Sequence, residues 1–266
     1  QSTKIETMNQ NGKVKTIGYD TTAREVMEKV AQDMPYYRRS GGGLTLSGGE
    51  CLVQPDFSAA LLRAAKEEYG LSTAVESTAC APYETVQKLL PYLDWYLMDL
   101  KHTNSEKHKA FTGRDNALIL ENAKKLARDA KNLVIRVPVI PTFNDAPEEI
   151  LSIARFAASL GTVKQLHLLP YHRLGYDKNV GLGREYGMGD VLPPEARKMA
   201  ILKGVAERPA GKILGQHPKD KADITLNSGR YGPYLKWSRN NYAIPEEYRD
   251  KELTLDDALK IISAKK

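Results

Sequence analysis

Two rhythms of apolar residues run along the first two hundred positions, one helical and one alternating, and they take turns. Val26, Val30 and Met34 recur at helical spacing behind Thr22-Ala23-Arg24-Glu25, a capping-box pattern, and predict an amphipathic helix over Asp20–Tyr37 that ends near Pro35. A short strand follows at Leu44–Leu46. Pro55 then opens a helix that runs through Leu61, Leu62 and Ala65 to a stop at Gly70. Further along, Ser72–Ser77, Trp95–Leu100, Leu133–Ile140 and Val163–Tyr171 read as strands, and Pro138 limits how the third of these can pair. Between them Tyr83–Leu90, Leu118–Ala130 and Pro147–Leu160 read as helices, the second with Leu118, Leu120, Ala123 and Leu126 facing inward. Strands alternating with helices of about 10–15 residues are the pattern of βαβ units that close a parallel sheet. The fold class is therefore α/β.

From Ile213 onward the pattern changes. Gly, Pro, Asp and Asn sit between short Val/Ile/Thr/Tyr-type runs, which predicts a small β-meander. Thr254 caps a closing helix with Leu255, Leu259 and Ile262 on one face. The organisation expected is a polar lead-in over 1–18, an α/β domain over 19–210 and a small module over 212–264. The joint between Glu207 and Lys212 is the short run Arg208-Pro209-Ala210-Gly211, too short for an extended Pro/Ser-rich linker.

Polar residues fall at the carboxyl ends of successive strands: Glu50, Glu76, Asp99 with Lys101, Arg136 and His172. In an α/β barrel that rim is where side chains from several strands converge on one ligand. The first of these ends is the glycine-rich stretch Gly41 to Glu50, GGGLTLSGGE, in which Ser47, Gly48 and Gly49 allow close backbone approach and Glu50 presents a carboxylate suited to an ammonium. An ordinary glycine-rich turn with an exposed acid is the other reading of those ten residues. Arg136 suits a carboxylate in a bidentate fork. The set as a whole fits a zwitterionic ligand.

Composition adds limits. The chain has 266 residues, 41% of them hydrophobic, enough for one sizeable core and a small appendage. No run of about 18 apolar residues and no charged-then-apolar leader is present, so neither a membrane span nor a secretory signal is expected, and the protein reads as cytoplasmic. The net charge is +6, and residues 212–266 hold 11 Lys+Arg against 8 Asp+Glu, the denser share. That balance permits a polyanion partner and equally a solvated basic surface. The two cysteines, Cys51 and Cys80, match no metal spacing.

Taken together, GGGLTLSGGE, Glu76-Ser77-Thr78, Asp99-Leu100-Lys101, Arg136 in IRVPVIP followed by Asn144-Asp145, and His172 in LLPYH resemble, in order, the motifs of the radical S-adenosylmethionine (SAM) enzymes that activate glycyl radical enzymes, the pyruvate formate-lyase and choline trimethylamine-lyase activases among them. The resemblance spans about residues 18–210 and includes the loop Leu174–Gly189. It implies a partial (β/α)6 barrel and SAM held by Ser47, Gly48, Gly49, Glu50, Glu76, Ser77, Asp99, Leu100, Lys101, Arg136 and His172. Glu76 stands where other members carry Asp, in a segment that helps hold a cation. Lys101 lies near the bound peptide and is the candidate catalytic residue. The implied partners are a glycyl radical enzyme as protein substrate and an external electron donor such as flavodoxin or ferredoxin. The resemblance also implies a [4Fe–4S] cluster on a CxxxCxxC loop of the first barrel strand, and thiolates are the ligands such clusters require. No such motif is present. The expectation is an N-terminally truncated barrel lacking its first strand, with that sheet edge exposed or covered by residues 1–18, and without reductive cleavage of SAM. A third reading is that the truncated barrel does not fold stably alone, because it loses core and leaves an open edge.

Ser228-Gly229-Arg230-Tyr231-Gly232-Pro233-Tyr234 resembles the signature of the C-terminal repeats of type IA DNA topoisomerases, and the likeness spans nearly the whole tail. It implies single-stranded DNA as a partner, held by Arg230, Tyr231, Tyr234, Lys236, Trp237 and Arg239, which interleave cations and rings as base stacking and phosphate attraction require. The tyrosines serve equally well as the core of a very small domain. An evolved fusion and an artefactual joining of two fragments both account for the junction. A non-enzymatic DNA-binding protein is the second function class.

Overall fold

The computed structural model describes residues 5–8, 14–163, 165–173, 187–189, 191–206, 212–229, 232–238, 240–248 and 253–264. The chain divides into two compact units, Gln1–Val205 and Ala206–Lys266.

The first unit opens with β1 (Ile5–Met8) and β2 (Val14–Ile17), paired with each other as an antiparallel hairpin. Helix α1 (Ala23–Ala31) then begins on the expected capping box. Thr22 Oγ1 accepts the Glu25 N–H at 3.2 Å and the Glu25 carboxylate accepts the Thr22 N–H at 2.7 Å, which satisfies two of the donors a helix start leaves unpaired. Pro35 does not end the helical region. It sits in the first turn of a second helix, α2 (Met34–Ser40), where its missing N–H would have had no partner in any case.

A five-stranded parallel sheet follows, with spatial order β3 (Gly43–Leu46), β4 (Ser72–Ser77), β5 (Trp95–Asp99), β6 (Leu133–Val139) and β7 (Gln165–Pro170). Sequence order and spatial order coincide, as consecutive right-handed crossovers give. Helices α3 (Pro55–Arg63), α4 (Tyr83–Gln87), α5 (Ser105–Thr112), α6 (Ala117–Asp129) and α7 (Pro147–Ser159) connect them, and α8 (Ala196–Ala206) comes last in the unit. Gly43 is required by close packing: a Cβ there would lie 1.9 Å from the Ser72 carbonyl oxygen. Among the described residues no strand pairs with the outer edge of β3, and the hairpin β1–β2 is a separate sheet.

One helix has no counterpart in the sequence reading, and one expectation is corrected. Helix α5 has no apolar period because its one buried position is His108. In α6 the inward residues are Ile119, Asn122, Ala123, Leu126 and Ala127, while Leu118 stays 39% exposed. Pro138 is tolerated inside β6 for a geometric reason. The Arg136 carbonyl accepts the Leu100 N–H on the β5 side, so Pro138, two residues on, turns its N atom the same way, just beyond the end of β5.

The faces of this sheet are unequal. Parallel sheets are normally covered on both faces and their strands read as continuous apolar runs. Here burial alternates. Thr73, Val75 and Ser77 of β4 and Tyr96 and Met98 of β5 are buried beneath the helices, whereas Ala74, Glu76, Leu97 and Asp99 are only partly so. On β6 the buried face holds Ile135, Val137 and Val139 and the other holds Arg136 and Pro138. One face is thus the core wall, and the other is the polar lining of an open barrel. Fully buried Leu62, Leu89, Leu126, Ile150 and Ile153 fill the helix side, at about 1.5–3 kcal/mol of transfer free energy per side chain.

The second unit is a four-stranded antiparallel sheet in the order β11 (Asn240–Ala243), β10 (Gly232–Trp237), β9 (Asp223–Gly229), β8 (Lys212–Gln216). It is closed by α9 (Leu255–Ser263), which Thr254 and Asp257 cap reciprocally. Its core is its own: Ile224, Leu235, Ile244, Leu253, Ala258, Ile261 and Ile262 are buried together.

Candidate functional site

Strand register brings the rim residues into rows. Asp99 lies opposite Arg136, and Arg136 opposite His167, so the three share the open face at one level. The Arg136 guanidinium pairs with the Glu76 carboxylate and reaches Asp99 Oδ1 through Nε at 3.3 Å. Ser47 donates its hydroxyl to Glu76 Oε2 at 2.7 Å, which ties the end of β3 to this row. The contact between Arg136 and Asp99 is one of charge without alignment: Asp99 Oδ1 and Arg136 Nε are buried and neither finds a well-directed hydrogen bond. Burial pushes the Asp99 carboxyl above its ordinary value, against the pull of Lys101 and Arg136. Partial burial also acts to raise Glu76, but the Ser47 hydroxyl and Arg136 outweigh it and hold Glu76 below the usual range.

Glu50 is placed differently from what the sequence suggests. It caps the short turn Cys51–Val53 and accepts from four N–H and O–H donors, with the Cys51 thiol a weaker fifth at 3.7 Å on Oε1. Oε1 takes the Leu52 N–H at 3.2 Å and the Ser77 hydroxyl at 2.7 Å, while Oε2 takes the Thr78 N–H at 3.1 Å and the Thr78 hydroxyl at 2.9 Å. A carboxylate has about four lone-pair sites. All are occupied, so Glu50 offers charge to a ligand, and it offers a lone pair only if the Ser77 or Thr78 hydroxyl turns away. Cys51 lies against it, and burial, with Glu50 adding to it, pushes its thiol up to about 12, far from thiolate character.

The glycine loop itself is open. Gly48 has φ of +110°, a conformation side chains rarely adopt, and a Cβ at Gly48 or Gly49 would meet nothing within 4 Å. Ser77 faces the helix layer and acts through Glu50. The Leu100 side chain is fully buried, contrary to a direct contact role, and its backbone N–H bonds to the Arg136 carbonyl. Lys101 is half-buried and, with Thr78, Cys80, Asp99, His108, Thr112, Arg114 and Ile119, lines a cavity of about 160 Å³. His172, two residues past β7, is exposed, and no described contact joins it to the row. Most of the loop Leu174–Gly189, residues 174–186, lies outside the described residues.

Sequence reasoning missed one position and gave another, Asn144, a place in a motif but no role. His167 occupies the inward position of β7 level with Arg136, and the alternation in Gln165–Pro170 is the signal that places it there. The role of Asn144 is structural. Its side-chain amide donates to the Lys101 carbonyl at 2.7 Å and the Pro138 carbonyl at 2.9 Å, and its oxygen accepts the Ile140 N–H at 2.7 Å, lacing the ends of β5 and β6 together.

A family model described as "Radical SAM superfamily" matches residues 10–168. The chain belongs to the radical SAM superfamily. Its relatives there are activating enzymes of glycyl radical enzymes. It is 45% identical over 207 residues to the isethionate sulfite-lyase activating enzyme of Desulfovibrio desulfuricans, covering 77% of this chain and 62% of the relative. It is 34% identical over 199 residues to pyruvate formate-lyase 1-activating enzyme of Escherichia coli, covering 74% of this chain and 80% of that one. Among solved structures, a domain of a pyruvate-formate lyase-activating enzyme from Bacteroides vulgatus superposes with a TM-score of 0.51 at 29% identity, covering 62% of this chain and 92% of that one. The chain thus spans about three fifths of the length of the first curated relative. The second unit matches the "Topoisomerase C-terminal repeat" over residues 217–266.

The residues present fit SAM. Asp99 Oδ1 and Arg136 Nε, a buried acceptor and donor that meet each other at 3.3 Å without a directed hydrogen bond, lie next to an open glycine loop, where the ammonium and the carboxylate of one ligand would give each an aligned partner. They do not fit a [4Fe–4S] cluster. Such a cluster takes several thiolates, and this sequence holds two cysteines, one of them with its thiol pushed up to about 12.

In the second unit, strand alternation divides the proposed nucleic-acid set. Trp237 is not free for stacking on a base. It packs on the core with Leu235, stacks on His217 at 3.8 Å and donates its N–H to Asp220 at 3.1 Å. Half-buried Tyr234 and exposed Lys236 take the opposite face of β10. Arg230, Tyr231 and Arg239 lie outside the described residues. Among the described residues no helix is long and apolar enough to cross a membrane.

Proposed function

We propose that the first unit is a SAM-binding barrel of the glycyl-radical-enzyme activase type, with a glycyl radical enzyme as protein substrate and an external electron donor. The observation that carries this reading is the Glu76–Arg136–Asp99 row with its two unsatisfied polar atoms, set at the strand ends of a radical SAM fold. Bound SAM supplies the family's hydrogen-abstracting chemistry when an electron reaches its sulfonium. The residues of this chain bind and orient. Arg136 turns its remaining donors to the ligand carboxylate, Asp99 takes the ammonium with Glu50 and Glu76 adding negative charge nearby, and the Gly48–Gly49 backbone lets the ligand lie close. Lys101 borders the adjoining cavity, where it meets the substrate peptide. His172 closes on the nucleoside end from beyond β7.

The 266-residue chain as it stands binds SAM without cleaving it, because its cysteines fall short of a cluster site. Calorimetry of SAM against the purified chain, with Asp99→Asn and Arg136→Ala alongside, tests the binding. Saturable binding that weakens in both variants is the expected result, and a folded wild type that shows no heat of binding overturns the reading.

The likeness of residues 217–266 to a topoisomerase repeat favours a second reading for the second unit, single-stranded DNA binding. The exposed Lys236 beside Tyr234 supports it, as does the basic balance of the tail. It requires no contribution from the barrel.

A further inference from the structure

The residue after the candidate catalytic lysine is buried at the meeting of three elements, and nothing in the binding scheme above uses it. His102 is 3% exposed. Its Nδ1 accepts the Asn104 N–H at 2.8 Å, which leaves the proton of the neutral ring on Nε2, and Nε2 faces the buried Glu149 carboxylate of α7. Lys107 of α5 pairs with the other oxygen of Glu149. The ring lies 5.4 Å from that of Phe143, which stacks on Phe111 of α5 at 4.1 Å. The carbonyl of His102 accepts from the Asn116 amide at 2.7 Å, just ahead of α6, and the carbonyl of Lys101 accepts from Asn144. Lys101 and His102, just past the end of β5, are therefore held from Asn116 ahead of α6, from α7 and from the turn before α7, with α5 packed behind Glu149 and Phe143.

We infer that His102 is a positioning residue: with Glu149, Asn116 and Asn144 it fixes the backbone of Asp99-Leu100-Lys101, so that the Asp99 carboxylate and Lys101 are presented to the ligand in one arrangement. Several physical facts converge on it. A strand end that has lost its ladder partner is free to fray, and β6 pairs with β5 only up to Asp99 opposite Arg136. Burying an imidazole and a carboxylate is costly unless each is paired, so a mere space-filler at this position would be apolar. The burial that holds His102 below its ordinary value of 6.5 keeps Nδ1 unprotonated, and Nδ1 must stay so to accept the Asn104 N–H; Glu149 pulls the other way, and Lys107 and His108 are the remaining titratable neighbours.

This inference rests on the SAM-binding reading, and the test separates the two. Hydrogen exchange on the whole chain reads the Asn104 and Leu100 amides, and calorimetry on the same samples reads SAM. His102→Gln keeps a donor towards Glu149 but loses the acceptor for the Asn104 N–H, whereas His102→Asn keeps that acceptor. The expected result is loss of protection confined to residues 99–104 and about tenfold weaker SAM binding in His102→Gln, with much of both recovered in His102→Asn. If His102 variants fail to fold, Glu149→Gln, which preserves volume, carries the same two readouts. Unchanged protection, or lost protection with unchanged SAM affinity, overturns the inference. A folded wild type that binds no SAM overturns the functional reading, while the exchange pattern still decides whether His102 holds this segment.

Discussion

Replacing Glu50 with glutamine tests whether this carboxylate is chiefly a ligand for something bound or chiefly a fastener of the rim. The substitution removes one charge and almost no volume, so a ligand-only role predicts an unchanged fold. The geometry predicts otherwise. Two of the donors around Glu50 are backbone N–H groups, and they sit on different oxygens: Leu52 on Oε1 at 3.2 Å and Thr78 on Oε2 at 3.1 Å. Glutamine has one oxygen. The hydroxyls of Ser77 and Thr78 can rotate to accept from its NH₂, but a backbone N–H cannot, so one is left facing a donor. An unsatisfied donor costs about 1–3 kcal/mol, with the lower half expected because Glu50 is only half-buried. Urea denaturation followed through Trp95, in a Trp237→Phe background so that the first unit reports alone, measures it. A midpoint shift worth about 1–2 kcal/mol at unchanged slope is expected. Glu50→Gln within about 0.3 kcal/mol of wild type would refute the reasoning, since it would mean that water or a rotated amide replaces both bonds at no cost.

Asp99→Asn should move stability and binding in opposite directions. Because burial raises the folded carboxyl, the wild type bears a cost at neutral pH that disappears below the ordinary value of 3.8, so the variant should melt higher at pH 7, the gain should shrink to nothing in acid, and SAM should bind more weakly; an unchanged or lower melting temperature at pH 7 contradicts this. Incubation of the iron-reconstituted chain with SAM and dithionite should give no 5′-deoxyadenosine above an iron-free control, and production above that control refutes the expected inactivity. For the second unit, Lys236→Ala and Tyr234→Ala should each weaken single-stranded DNA binding, the lysine variant also flattening its salt dependence, whereas Trp237→Phe should leave it unchanged; a large loss in Trp237→Phe alone would reverse the face assigned to β10.

Within the parallel sheet the order of elements and their type were legible because each of its strands and most of its helices carry their own period, whereas the hairpin β1–β2 lies in residues read only as a polar lead-in. Ser72–Ser77 begins and ends as an alternating run should, and the α1 start is written in Thr22 and Glu25. What stayed hidden depends on partners distant in sequence. Helix α5 buries a histidine, so no apolar rhythm announces it. The rim residues could be named from strand ends, yet their roles could not: the saturation of Glu50 depends on Ser77 and Thr78, 27 and 28 residues away, and the unaligned meeting of Asp99 with Arg136 depends on register. Parity was available and would have served better than motif order. It puts His167 level with Arg136, sends Leu100 to the core and parts Trp237 from Lys236.

These differences bear on how a zwitterion would enter the first unit. Glu50 already has its lone pairs filled, so contact with an ammonium there must first break a hydrogen bond from Ser77 or Thr78. Asp99 Oδ1 and Arg136 Nε have no aligned partner to give up, and pairing them with ligand groups removes an existing cost instead of exchanging one bond for another. The binding free energy should therefore be concentrated on β5 and β6, with the glycine loop contributing access and Glu50 contributing long-range charge. It follows that Arg136→Ala should weaken SAM binding more than Glu50→Gln does, even though the glycine loop ending in Glu50 is the more conspicuous feature of the sequence.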